Sequence, residues 1–189
     1  MSKYKIVALF GESGSGKDTI KNHLFLVNPD LFHPIIMSTT RPKRDYEKED
    51  SDYHFLTPEE FTQKIFNGDI LEAQMFNDWA YGLDENDLVE DKINIGAFSI
   101  DSIETILEQC PNIELIPIRI VVDDKTRLER AISREENPNC EEICRRFLSD
   151  KKDFSFIDFE HCIIPNDTRP SIAATMIVNY LLNNNRSLK

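Results

Sequence analysis

The segment Gly11-Glu12-Ser13-Gly14-Ser15-Gly16-Lys17 constrains this chain more than any other. It fits the spacing G-x-x-x-x-G-K, and its flanks fit too. Residues 4–10, YKIVALF, are a short apolar run of strand formers, and Thr19 to Val27 carries Ile20, Leu24 and Val27 at helical spacing. Strand, glycine loop, helix opens an α/β fold. Glycines let successive backbone N–H groups curl round a phosphate, the helix start adds a positive dipole, and the lysine brings a full charge to β- and γ-phosphates. The motif by itself calls for a nucleoside triphosphate, held by Ser13, Gly14, Ser15, Gly16, Lys17, Asp18 and Thr19, with Lys17 catalytic. The residue after such a lysine is usually a magnesium-binding Ser or Thr; here it is Asp18. Either its carboxylate meets a magnesium-bound water, or it points away and Thr19 takes the phosphate. Mg2+ itself is expected because ATP carries it.

Further along, strand and helix patterns alternate. Strands are expected at Ile35–Met37, 70–76, 93–100, 114–122 and 161–164. Helices are expected at Ser102–Gln109, from Thr126 to about Arg134, over about 141–152 and over 170–182. Thr57-Pro58-Glu59-Glu60 reads as a capping box with proline at the first position, opening a helix whose apolar face is Phe61, Ile65 and Phe66 and which Asn67-Gly68 stops. Residues 39–52 read as a loop, Asp84–Asp91 as a short acidic helix, and Glu135–Asn139 as an interruption. This alternation argues for a parallel, doubly wound sheet.

Charge narrows the function. With 22 Lys and Arg against 34 Asp and Glu, the net charge is −12, which disfavours a nonspecific nucleic-acid binder. The imbalance sits in residues 45–110, where 3 basic residues face 18 acidic ones; residues 1–44 carry 7 basic against 3 acidic. The longest clean apolar runs are about five residues, as in Ile6–Phe10, so no membrane span is expected, and the N-terminus runs into the glycine motif with no room for a signal peptide. Cys110, Cys140, Cys144 and Cys162 form no metal-type pairing, so reduced thiols and a cytoplasmic location are expected.

A second anion site stands out against this acidity. In Ser38-Thr39-Thr40-Arg41-Pro42-Lys43-Arg44, followed by Glu47 and Tyr53-His54-Phe55, two arginines three apart are flanked by hydroxyls and a tyrosine. Arginine forks pair with phosphate oxygens and tyrosine adds a neutral donor, so the set suits a phosphate monoester.

This stretch resembles the monophosphate-binding segment of guanylate kinases, T-T-R-x-x-R-x-x-E followed by D/N-G-x-x-Y-x-F. Thr39, Thr40, Arg41, Arg44, Glu47, Tyr53 and Phe55 are in register, and Pro58-Glu59-Glu60-Phe61, Gly68–Glu72 and Tyr81-Gly82 continue the likeness. The resemblance implies a P-loop NTPase-type three-layer α/β/α fold with a parallel sheet. Its core would be residues 1–37, 85–129 and 153–189, with an acceptor-binding insertion at 38–84 and a helical lid at 130–152. It implies that Ser38, Arg41, Arg44, Tyr53 and Tyr81 bind the acceptor's monophosphate, that Glu72 accepts from N1 and the 2-amino group of guanine, and that Arg41 is catalytic. In the lid it implies Arg130 against adenine, Arg134 and Arg146 as catalytic clamps on the transferring phosphoryl group, and Asn166 beside adenine. Arg127 and Arg145 read instead as surface ion-pair residues, with partners such as Glu129 or Glu141. Two positions depart from the family. Leu83 stands where a Ser or Thr contacts the base, and Ala97-Phe98-Ser99-Ile100-Asp101 replaces a D-I-D strand end, with Asp101 either a substitute or a helix N-cap.

The expected protein is thus an ATP-dependent kinase of GMP or dGMP, a monomer or homodimer acting on small-molecule nucleotides. A ribose 1,5-bisphosphate phosphokinase, another deoxynucleotide kinase and a non-catalytic phosphopeptide-binding module are the alternatives.

Overall fold

The computed structural model describes residues 2–44, 47–134 and 137–184. Its centre is a five-stranded parallel sheet. Strand β1 (Tyr4–Phe10) lies between β7 (Ile93–Ala97) and β8 (Ile113–Val121), with β2 (Phe32–Pro34) and β9 (Cys162–Pro165) on the outside, in the order β2-β7-β1-β8-β9. β1 alternates between two cores. Val7 and Leu9 face helices α1 (Lys17–Val27) and α6 (Pro170–Asn184), packing with Ile20, Leu24 and Ile177. Ile6, Ala8 and Phe10 face helix α3 (Ile100–Gln109) and Leu83, packing with Ile103 and Ile106. Each of these apolar side chains is almost fully buried, and burying one of the larger ones is worth about 1.5–3 kcal/mol. Residues that alternate in sequence thus fill opposite faces of one sheet, which gives three layers.

A second sheet, order β4-β3-β6-β5, stands beside the first. It comprises β3 (Ser38–Thr39), β4 (His54–Phe55), β5 (Ile70–Phe76) and β6 (Trp79–Asp84). Helix α2 (Pro58–Asn67) covers it. Its capping box is formed as expected: the Thr57 hydroxyl accepts from Glu60 N at 3.2 Å and the Glu60 carboxylate accepts from Thr57 N at 2.8 Å. Gly68 ends the helix at φ 80°.

Four sequence expectations change. The strand expected at Ile35–Met37 lies three residues earlier, at Phe32–Pro34. Beyond Ile35 the backbone leaves the sheet, because Ile36 N donates to Asp87 Oδ2 at 2.6 Å and Met37 O accepts from His54 N. The 39–52 segment is not all loop, since Ser38–Thr39 pairs with both β4 and β6 and Glu49 bridges Tyr53. The acidic helix at Asp84–Asp91 is a single 3-10 turn at Glu85–Asp87. Val89 donates to and accepts from the buried Asn94 side-chain amide, which holds the chain extended. On α2 only Phe61 is buried; Ile65 and Phe66 are exposed. The interruption at Glu135–Asn139 falls partly on residues 135–136, outside the described residues. Among the described residues, no helix is long and apolar enough to cross a membrane.

Candidate active site

The glycine loop leaves β1 and enters α1 at the C-terminal edge of the parallel sheet. Its backbone requires glycine at positions 11, 14 and 16, all at positive φ with no room for a Cβ. Gly11 has φ 145°, and a Cβ there would lie 2.3 Å from Ile120 O; Gly16 has φ 90°, and a Cβ there would meet Asn166 Nδ2 at 2.6 Å. Lys17 turns back over the loop, and its Nζ donates to Gly11 O at 2.6 Å and Glu12 O at 3.2 Å. Burial lowers the pKa of this ammonium; Asp18, Asp150 and Glu12 oppose the shift, and Arg134 adds to it. Ser15 is fully buried, and its carbonyl accepts from Asn166 Nδ2 at 2.8 Å. Asp18 and Thr19 are exposed in the first turn of α1.

On the far side of the cleft, the second sheet carries or adjoins the residues expected to bind an acceptor. Arg41 forks onto Glu47, with NH2 to Oε1 at 2.6 Å and NH1 to Oε2 at 3.0 Å. Its guanidinium lies 5.5 Å from the Tyr53 ring centre and 5.6 Å from that of Phe55, and Tyr81 also contacts it. The pair holds Glu47 below the usual carboxylate range, and burial pushes Tyr53 up. Arg44 N donates to Glu47 Oε2 at 2.8 Å. Asp18, Met37, Arg44, Asp52, Tyr53 and Ala97 line a cleft of about 320 Å³ between α1 and this sheet. Asp18 therefore faces the acceptor side, where its charge helps raise Tyr53.

Among the described residues, two buried side chains here have polar atoms that find no hydrogen-bond partner. Ser38 Oγ is one; both carboxylate oxygens of Glu72 are the other. Glu72 is only 3% exposed, and burial pushes its pKa to about 7, partly opposed by Ser102 alongside. At the departing positions, Leu83 is fully buried in the core cluster around Ile35 and Phe98. Asp101 is exposed and is not the N-cap of α3. Ser99 caps it, accepting from Ser102 N at 3.0 Å and donating to Gln74 Oε1 at 2.9 Å.

The arginines expected in the lid, with Arg127, lie on α4 (Asp124–Ile132) and α5 (Cys140–Asp153) or just beyond α4. Arg130 donates to Asn166 O at 2.9 Å and Gly14 O at 3.4 Å, so it lies against the loop. Arg134 is exposed, close enough to Lys17 to depress it. Arg146 bonds Glu142 at 2.7 Å on its own helix, as does Arg145 at 2.6 Å, so the partner of Arg145 is neither Glu129 nor Glu141. Arg127 overturns its surface reading altogether: it is 3% exposed and bonds the loop carbonyl of Ser13 and the Asp150 carboxylate. Sequence reasoning also missed Glu47 as the clamp on Arg41, although its place three residues after Arg44 was a signal. It missed the Glu12–Arg119 pair at 2.8 Å, for which the sequence holds none.

A glycine loop between the central strand of a parallel sheet and the first helix, with a lysine at the helix start, defines a P-loop nucleoside-triphosphate-binding protein. The sequence matches the family model for guanylate kinase over residues 3–176. The chain belongs to the guanylate kinase family, a family of phosphotransferases. It is 29% identical over 180 residues to the guanylate kinase of Synechococcus elongatus, covering 92% of this chain and 96% of that one. With the Salinibacter ruber guanylate kinase it shares 38% over 102 residues, and there the matched region spans only 53% of each chain. Among solved structures, guanylate kinase from Anaplasma phagocytophilum superposes with TM-score 0.68 at 21% identity, covering 97% of this chain and 87% of that one. A gluconokinase from Sinorhizobium meliloti superposes with TM-score 0.50 at 13% identity, covering 97% and 99%. At such identities these two likenesses speak to the fold.

Proposed function

We propose that the protein transfers the γ-phosphoryl group of ATP to GMP or dGMP, giving ADP and GDP or dGDP. The observation that carries this reading is Glu72, a buried carboxylate on β5 with both oxygens unpartnered among the described residues; β5 pairs with β6, which carries Tyr81 of the Arg41, Tyr53 and Tyr81 cluster. Guanine presents two adjacent N–H donors, N1 and the 2-amino group, and a carboxylate accepts both. Leaving such a group unpaired costs about 1–3 kcal/mol or more, which a bound base would relieve.

In this reading the loop amides of Gly14, Ser15 and Gly16, with Ser13, Asp18 and Thr19 flanking them, cradle the ATP phosphates, and Lys17 unfolds from its own loop onto the β- and γ-phosphates. Arg130 and Asn166, already in contact with each other, support the adenine. Arg41, Arg44, Tyr53, Tyr81 and Ser38 hold the acceptor's monophosphate. A phosphate oxygen of the acceptor, already an anion at neutral pH, attacks the γ-phosphorus in line; the bond to the β–γ bridging oxygen breaks and ADP leaves. No general base is required, so the protein's contribution is position and charge. Arg134 and Arg146 close over the transferring group, and for Arg146 this requires exchanging Glu142 for phosphate. Asp18 and Thr19, exposed at the helix start, are the groups that would hold the water shell of an ATP-bound Mg2+, which would supply neutralisation of phosphate charge.

The test is coupled ADP release with MgATP and, separately, GMP, dGMP, AMP, dAMP, CMP, UMP, dTMP and ribose 1,5-bisphosphate. Turnover confined to GMP and dGMP is the expected result. Turnover with a different acceptor keeps the phosphotransfer and overturns the base assignment. Silence across the panel, with ATP bound, points to a binding module.

A further inference from the structure

We infer that Arg127 and Asp150 are positioning residues for the triphosphate loop, holding Ser13 from both sides through a buried ion pair that joins the loop to α5. The Asp150 carboxylate accepts from Ser13 N at 2.8 Å, and Arg127 Nε donates to Ser13 O at 3.0 Å. The two side chains meet each other at 2.6 Å. Both backbone polar groups of one loop residue are thereby fixed by side chains more than a hundred positions away.

The surroundings leave this arrangement little slack. Arg127 is 3% exposed, and its NH1 reaches Asp124 on its own helix at 3.2 Å. Its guanidinium lies 5.0 Å from the Phe147 ring centre on α5. Lys151, next to Asp150, reaches Asp124, so α4 and α5 are joined by charges of alternating sign. The following residue, Gly14, passes so close to Arg127 that a Cβ there would lie 2.8 Å from Arg127 O.

Stability alone is a poor account of such a pair. Desolvating two charges offsets most of their attraction, and well-packed apolar residues often serve a fold equally well. Geometry is a better account. A loop with glycines at 11, 14 and 16 has many backbone conformations, and only those with convergent amides bind phosphate. Fixing Ser13 removes that freedom just before Gly14. Because Asp150 is on α5, the loop keeps its phosphate-ready shape when α5 is docked, so a residue of the closing segment sets ATP affinity through the loop backbone.

This inference rests on the loop being the ATP site and assumes nothing about the acceptor. The full-length protein, Arg127→Leu, Asp150→Ala and the double variant would each be titrated calorimetrically with a magnesium complex of a non-hydrolysable ATP analogue, alongside thermal melts. Each single variant is expected to weaken nucleotide binding roughly 10- to 100-fold, the scale of a small misplacement. The double variant, which leaves no unpaired buried charge, is expected to melt higher than either single one yet still bind the analogue weakly. In steady-state assays at saturating ATP, KM for the acceptor stays at the wild-type value. Wild-type affinity in the double variant would overturn the inference, and that variant decides the matter if the single ones fail to fold. Absence of binding by the unaltered protein would sink the ATP-site reading instead.

Discussion

The two sides of the cleft satisfy their polar groups in opposite ways. On the glycine-loop side, side chains with an orphaned atom still make a bond elsewhere: Glu12 and Arg119 pair with each other, and Asn166 bonds Ser15. On the side of the second sheet, the polar side-chain atoms of buried Glu72 and Ser38 find no hydrogen-bond partner among the described residues. The loop rests on strand β1, buried at every position but Lys5, whereas the second sheet and its helix leave Phe66, Met75 and Phe76 exposed. One half is complete without a ligand; the other is built around unused hydrogen-bonding capacity. Such capacity is destabilising until a ligand takes it up.

Substitutions on each side should therefore separate. The largest effect belongs to Lys17→Ala, expected to lower kcat by roughly 10²–10³-fold or more in the ADP-release assay while the circular dichroism spectrum is unchanged. Near-normal turnover would refute the loop assignment. Next comes Glu72→Gln, which should cut kcat/KM for GMP roughly 10²-fold and yet stabilise the protein at pH 8. The sign follows from the raised pKa. The folded state holds a proton on Glu72 up to about pH 7, against a reference of 4.5. Stability is therefore greatest below the reference value and declines as pH rises to about 7, by up to roughly 3 kcal/mol. Urea titrations from pH 4 to 8 should show that decline in the native protein and lose it in Glu72→Gln. Activity with GMP moves the other way, rising through about pH 7 as the carboxylate forms. Arg41→Lys keeps the charge but loses the fork onto Glu47 and phosphate, and should raise KM for the acceptor roughly 10-fold with ATP affinity unchanged. The smallest effect is Thr57→Ala, which removes a cap far from both ligands. It should cost about 1 kcal/mol in urea unfolding and leave both affinities as they were.

What could be read in the sequence followed the range of the interactions. The glycine loop, the capping box at Thr57 and the strands at 4–10, 70–76 and 114–122 depend on residues close in the chain, and all appear where expected. β6 carries less of a local signal, and its existence depends on pairing with β3 and β5. The Asp84–Asp91 helix fails because the Asn94 amide, from the next strand, takes both backbone groups of Val89. Arg127 looked like a surface cation because its helix is otherwise polar. Its burial depends on Asp150, 23 residues away, and no local pattern announces that. In the candidate site Arg44 and Tyr53 of the motif line one cleft, with Arg41 and Tyr81 packed against Tyr53, but the motif could not reveal that Glu72 would lack a partner or that Leu83 would be core.

Lys17, curled onto the carbonyls of Gly11 and Glu12, has a consequence for the proposed reading. A nucleotide bound there would not meet a bare cation: it would have to displace the protein's own oxygens from an ammonium that burial already makes easier to deprotonate. Binding is thus an exchange of partners, and its measured affinity is the difference between two sets of contacts.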